Sequence, residues 1–148
     1  MNDLFNTLDV PGPIPSAISA PFWDAVRRGE FLLQRCDDCG RALFYPRAHC
    51  PHCWSGRVSW QPASGRGTVR SFSAIHRPGH FAWAAAAPYV IAIIELEEGP
   101  TMLSQLLLDH PDAARVGMAV RMRPMQVGRH VLPFFAPDEP AALAEARS

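Results

Sequence analysis

CDDCGRALFYPRAHCPHCW, residues 36–54, holds all four cysteines of the 148-residue chain. Cys36, Cys39, Cys50 and Cys53 form two C-x-x-C pairs with ten residues between them. A C-x-x-C turn presents two thiolates from one tight loop, and two such turns complete the tetrahedron of a structural zinc ion. Gly40 lets the first turn double back so that backbone N–H groups face the sulfurs. The second turn is stiffened by Pro51 but is followed by Trp54 where a glycine would be expected, which puts that knuckle's geometry in question. His49 and His52 stand near enough in sequence to replace one thiolate, although four sulfurs already close the shell.

Other uses of the four thiols are an iron–thiolate centre, implying electron transfer, and disulfides. A redox dithiol needs one C-x-x-C, not two matched ones. The opening MNDLFNTLDVPGPIPS has no basic stretch followed by an apolar one, so no secretory signal is expected. The longest apolar run, near residues 82–94, is interrupted by Pro88, and no run reaches the roughly 20 residues of a membrane span. A cytoplasmic location is therefore expected, where thiols stay reduced, and structural zinc is the favoured reading. A closed thiolate shell has no open position for water or substrate and leaves no cysteine as nucleophile. G-x-S-x-G, H-E-x-x-H, G-x-x-x-x-G-K and G-x-G-x-x-G are absent from the chain, so no catalytic residue is assigned.

Working outward, residues 1–18 contain Pro11, Pro13 and Pro15 and are expected to form an extended arm without regular helix. SAPFWDAVRRGE (19–30) carries helix signals: Ser19 as N-cap, Pro21 in the first turn and Gly29 as terminator. FLLQRC (31–36) and LFYP (43–46) read as short strands around the first knuckle, and QPASGRG (61–67) as a hinge. Beyond it, strands are expected at 68–76, 89–97, 101–108, 119–124 and 130–135, with room for one helical turn in 109–117. Five short strands with a helical insertion after the third is the order of an OB-type barrel. The fold class is thus mainly β, divided as arm 1–18, helix plus ribbon 19–62, five-stranded barrel 63–136 and a tail 137–148 that reads as a frayed helix.

Length and a composition of 48% hydrophobic and 19% charged residues suit one ordinary domain or two small ones. Net charge is zero but unevenly spread. Residues 27–80 hold nine arginines against Glu30, Asp37 and Asp38, a net of +6, while each flank is −3. There is no lysine. Arg35, Arg41 and Arg47 flank a site that is net negative when Zn2+ meets four thiolates, so balancing the metal centre is one role open to them.

The succession FWDAVRRGEFLLQRC (22–36), CDDCG…CPHC, SGRGTVRSFSAIHRP (64–78), APYVIAIIELEEGP (87–100) and RVGMAVRMR (115–123) resembles a family of acyl-CoA-associated proteins. Its members combine a rubredoxin-like zinc ribbon with an OB-fold and were once catalogued as a domain of unknown function. The resemblance covers residues 19–136. It implies a small partner of thiolase-like enzymes (thiolases, acyltransferases, aldolases) or of hot-dog hydratases, in settings such as sterol side-chain breakdown and branched acyl-CoA assembly. Such a partner helps hold the coenzyme A thioester, or scaffolds the complex, while the other subunit supplies the catalytic groups.

Three stretches meet that implication. Arg66, Arg70 and Arg77 suit the phosphates of coenzyme A, the alternative being a solvated strand face. Beside them, His76 is a candidate for the same ligand site and for an acid/base group, the alternative being a structural histidine at a strand end. HFAWAAAAPY (80–89) is apolar where a polar loop is expected, which makes Phe81 and Trp83 candidates for a partner or acyl surface, the alternative being a short helix that caps the barrel. Phe22 and Trp23, on one helix face, are candidates for the same surface or for packing on the body. EEGP (97–100) reads as a hairpin turn with Glu97 and Glu98 solvated. Single-stranded nucleic-acid binding is the competing reading, since ribbons and OB-folds both occur there. Zero net charge and the lack of lysine argue against it.

Overall fold

The computed structural model describes residues 2–138. The tail expected from 137 lies outside the described residues from 139 onward. Helix α1 (Asn2–Asn6) and α2 (Ala20–Arg27) precede a three-stranded sheet of β1 (Leu32–Cys36), β2 (Ala42–Leu43) and β3 (Val58–Pro62), ordered β2-β1-β3. Strands β4 (Arg66–Ile75), β5 (Tyr89–Leu96), β6 (Thr101–Leu106), β7 (Ala119–Val127) and β8 (His130–Pro137) close a barrel in the order β4-β5-β6-β8-β7. This is the mainly β ribbon-plus-OB architecture that the strand order implied. The turn expected in 109–117 is a 3-10 helix at Pro111–Ala113.

Local differences have local causes. The arm is not wholly extended, because its prolines begin only at 11 and leave Asn2–Asn6 free to coil. Nor does Ser19 cap α2 with its side chain. Ser16 and Ser19 instead form a reciprocal box, each hydroxyl accepting the other's backbone N–H at 3.2 and 2.9 Å. The stretch expected as LFYP shrinks to Ala42–Leu43, with Pro46 close by to limit it. The hinge begins later than expected, since Val58–Pro62 is a strand paired along its length with β1.

One core joins the two sheets. Phe22 and Val26 of α2, with Phe31 and Leu33, pack with barrel residues Val69, Ile94, Val120 and Phe135. Burial of a side chain such as Phe22 or Phe135 contributes roughly 1.5–3 kcal/mol. The arm seals the barrel's other flank, where Phe5, Leu8 and Val10 bury against Leu107, Met125, Val127 and Phe134. The HFAWAAAAPY connection contributes here as a 3-10 helix (Phe81–Ala86), with Ala82, Trp83 and Ala86 packed on that second core.

Candidate functional site

The two knuckles are near-copies of each other. Cys36 N–H donates to the Arg41 carbonyl at 2.9 Å and Gly40 N–H to the Cys36 carbonyl at 2.9 Å. In the second, Cys50 N–H donates to the Ser55 carbonyl at 2.8 Å and Trp54 N–H to the Cys50 carbonyl at 2.9 Å. Backbone N–H groups of Cys39 and His52 point at the Cys36 and Cys50 sulfurs, each at 3.4 Å. Trp54 takes the left-handed conformation, φ 66°, that Gly40 takes at 78°, so the second knuckle closes in spite of lacking glycine. Asp38 braces the assembly, pairing with Arg57 at 3.1 Å and accepting from Ser55.

The four sulfurs lie within 4.8 Å of one another, with Cys36–Cys53 at 3.5 Å and Cys39–Cys50 at 3.6 Å. Tetrahedral Zn–S bonds near 2.3 Å require sulfurs about 3.8 Å apart, so the donor set fits zinc in both chemistry and spacing. His49 and His52 are not in the cluster. The thiols titrate unevenly. The Cys39 N–H lowers Cys36 to about 7. The Ser55 N–H pulls Cys53 down, but the Cys36 sulfur, burial and the other two sulfurs outweigh it and push it up to about 12. Cys39 is likewise raised: burial and the Cys50 and Cys36 sulfurs overcome the Arg41 N–H. Sulfurs this close oppose one another's ionisation, and a divalent cation held by all four removes that conflict.

Two cavities flank the ribbon where it meets the barrel. One, of about 520 Å³, lies between the first knuckle and the β5–β6 turn; its walls include Arg35, Arg41, His52, Glu98 and Thr101. The Arg41 guanidinium donates to His52 Nδ1 at 3.3 Å, and Arg35 to the Gly40 carbonyl at 2.6 Å. Glu98 is not simply solvated. Its Oε2 accepts the Ser64 N–H at 2.8 Å, and its Oε1 is enclosed without a partner among the described residues. The other cavity, of about 420 Å³, is a cleft between α2, residues 44–46, β6 and β8. None of its lining residues carries a charge. Both cavities include Phe44, and β6 passes from Thr101 in one to Met102 in the other.

The residues singled out in the sequence distribute as follows. Arg66, Arg70, His76 and Arg77 are all exposed. The structure does not gather them: Arg66 to Ile75 is one strand, roughly 30 Å at 3.3 Å per residue. Arg66 shares Asp138 with Arg121, each at 3.8 Å. Arg70 is the extra residue of a bulge, between the Val69–Ile94 and Ser71–Ile93 pairs. Phe22 is 2% exposed and packs in the core, edge-on to Trp23, Phe31 and Phe44. Phe22 and Trp23 both line the uncharged cleft. Phe81 is 86% exposed and stacks on His80 at 4.6 Å, whereas Trp83 tilts against Tyr89 at 5.7 Å. Sequence reasoning missed the cleft and Gln105 in its wall; the one visible signal was a glutamine inside the apolar run TMLSQLLL (101–108).

Comparison with known proteins bears on the same regions. Residues 23–59 match the family described as ChsH2, rubredoxin-like zinc ribbon domain, and residues 60–123 match ChsH2, C-terminal OB-fold domain. The chain is 35% identical over 130 residues to the 3-oxo-4,17-pregnadiene-20-carboxyl-CoA hydratase alpha subunit of Mycobacterium tuberculosis, covering 86% of this chain and 40% of that one. It therefore spans well under half the length of that relative. A DUF35 domain-containing scaffold protein of Pyrococcus furiosus is 34% identical over 101 residues, 68% of this chain and 74% of the other. Among solved structures, the Ltp2-ChsH2(DUF35) aldolase superposes with a TM-score of 0.75 at 31% identity, covering 85% of this chain and 98% of the matched one. Ribbon, barrel and relatives agree: the chain belongs to the DUF35 family, with a ChsH2-type zinc ribbon followed by an OB-fold.

Proposed function

We propose that this chain is a non-catalytic subunit of an acyl-CoA enzyme, holding the coenzyme A thioester and scaffolding a thiolase-like, hydratase or aldolase partner. The observation that carries this reading is the pair of adjoining cavities, one whose wall carries the Arg35 and Arg41 guanidinium groups beside the Glu98 carboxylate, and one uncharged. A CoA thioester has that polarity, phosphates at one end and an acyl group at the other. The relatives, a CoA hydratase subunit, a scaffold protein and an aldolase complex, support the same class. Zinc, held by Cys36, Cys39, Cys50 and Cys53, supplies a rigid cross-link and no open coordination position. The ribbon then presents Arg35 and Arg41 on a fixed frame.

The test is capture of the full chain from its native host, with partners identified by mass spectrometry. An enzyme acting on CoA thioesters is the expected companion. Recovery of nucleic-acid machinery instead, together with steep salt-dependent binding of single-stranded DNA, overturns the proposal in favour of the competing class.

A further inference from the structure

Two glutamines are buried in this chain, and they are treated differently. Gln34, 4% exposed, is used at both ends: its Nε2 donates to the Arg47 carbonyl at 2.9 Å and its Oε1 accepts the Arg47 N–H at 2.7 Å. Gln105 is 8% exposed, yet its side chain makes no hydrogen bond among the described residues. A buried amide without a partner is costly unless something else satisfies it. Among the described residues, the fully enclosed unpaired side-chain atom is Glu98 Oε1. The Gln105 amide therefore remains open to cavity space; Gln105 lines the uncharged cleft and also borders a smaller cavity of about 150 Å³ beside Tyr89, Leu107 and Asp109.

The cleft exists because the barrel is loosely closed on this side. Strands β6 and β8 share one register pair, Leu106–Phe135, whereas β7 and β8 share eight. Away from that pair the seam is spanned by the Ser104 hydroxyl, which donates to the Pro133 carbonyl at 2.7 Å. Trp23 and Phe44 wall the opening, and Leu103, 50% exposed, stands at its mouth. Ser19 and Ser104, small polar residues of the wall, already have partners. What the cleft offers a ligand is apolar surface plus two groups able to hydrogen-bond, the Gln105 amide and the Tyr45 hydroxyl, with no charge to pair. That composition suits a neutral hydrocarbon body carrying one hydrogen-bonding oxygen.

We propose that this cleft receives the acyl group of the thioester, and that Gln105 selects acyl groups bearing a carbonyl or hydroxyl oxygen over plain hydrocarbon ones. The inference rests on the acyl-CoA reading above and adds the occupant of the second cavity and its specificity residue. A hydrocarbon acyl group leaves the amide buried and unpaired, whereas an oxygenated one pairs with it.

Titration of the full, zinc-loaded chain with CoA, octanoyl-CoA, 3-oxooctanoyl-CoA and 3-hydroxyoctanoyl-CoA tests this. Octanoyl-CoA is expected to bind more tightly than CoA, and the two oxygenated thioesters roughly tenfold more tightly than octanoyl-CoA. In Gln105→Leu the oxygenated and plain thioesters should bind alike. Leu103→Glu, at the solvent-facing mouth, should weaken all three thioesters relative to CoA. If CoA binds and no acyl group adds affinity, the inference fails while the acyl-CoA reading stands. If CoA itself does not bind, both fail. Self-association of the chain that Leu103→Glu abolishes would mean that a second copy fills the cleft, which also overturns the inference.

Discussion

Trp54 occupies in the second zinc knuckle the backbone position that Gly40 occupies in the first. Their φ angles are 66° and 78°, and each N–H reaches the carbonyl of its leading cysteine at 2.9 Å. An L-residue there costs roughly 1–2 kcal/mol, and an indole that is 80% exposed returns little of it through burial. The knuckle tolerates the cost because hydrogen bonds and the cysteine pair over-determine the loop.

Trp54→Gly should therefore stabilise the zinc-loaded chain by about 1 kcal/mol, somewhat less than the relieved strain because glycine is freer when unfolded. The denaturant midpoint checks this. A lower midpoint would show that the indole packs on something that matters more than the backbone.

Metal removal should act on the whole chain. Strand β1 carries Leu33, in the core shared with the barrel, and ends at Cys36 in the thiolate cluster. A chelator, or Cys50→Ser, is expected to lower a single unfolding transition rather than to split it in two, as followed by calorimetry. The pH dependence has a definite sign. Cys39 and Cys53 titrate above their ordinary values, so zinc must displace protons from them at neutral pH. Zinc occupancy should fall as pH falls, measured by metal content after equilibration across pH 5–8.

The arm depends on close approach at Gly128. That residue has φ 56°, its N–H donates to the Phe5 carbonyl at 2.9 Å, and a Cβ there would collide with the Leu8 carbonyl oxygen. Gly128→Ala should cost about 2 kcal/mol or release the arm. Faster proteolysis within residues 4–15, with the barrel intact, is the expected signature. Unchanged protection of the arm would show that the contact can be relieved cheaply.

On the proposed acyl-CoA reading, two sets of arginines are candidates for the phosphates. Arg35→Gln and Arg41→Gln together should weaken CoA binding roughly tenfold or more and flatten its salt dependence. Arg66→Gln, Arg70→Gln and Arg77→Gln should each change it less than about twofold, as expected for exposed, scattered charges. The reverse ranking would return the phosphate site to β4. Zinc content serves as the control for Arg35, which also bonds the Gly40 carbonyl.

What was legible in the sequence was local. The thiolate cluster is set by spacing within two turns, and β5 and β6 announce themselves as short, largely apolar runs on either side of the EEGP turn. Strand β3 was hidden because it ends in Pro62 and reads as punctuation, yet as an edge strand paired with β1 alone it tolerates a proline at its end. Helix α1 was obscured by prolines that act only downstream of it. The arginines of residues 66–77 are spread out for a geometric reason: nearness along an extended strand is distance in space. Arg41 and His52, eleven residues apart, meet because the ribbon folds one knuckle onto the other. The cleft depends on how two strands diverge, which no residue pattern records.

The two recognisable halves of this chain meet between residues 59 and 60, and that point falls inside β3, Val58–Pro62. Recognition and folding thus divide the molecule differently. A ribbon excised at that boundary would lose half a strand and leave Phe22, Val26, Phe31 and Leu33 without the barrel face that covers them. Grafting a ribbon from one relative onto the barrel of another would have to carry the matching residues around Ile94 and Phe135 with it. Exchange between family members should therefore succeed for whole chains more readily than for halves.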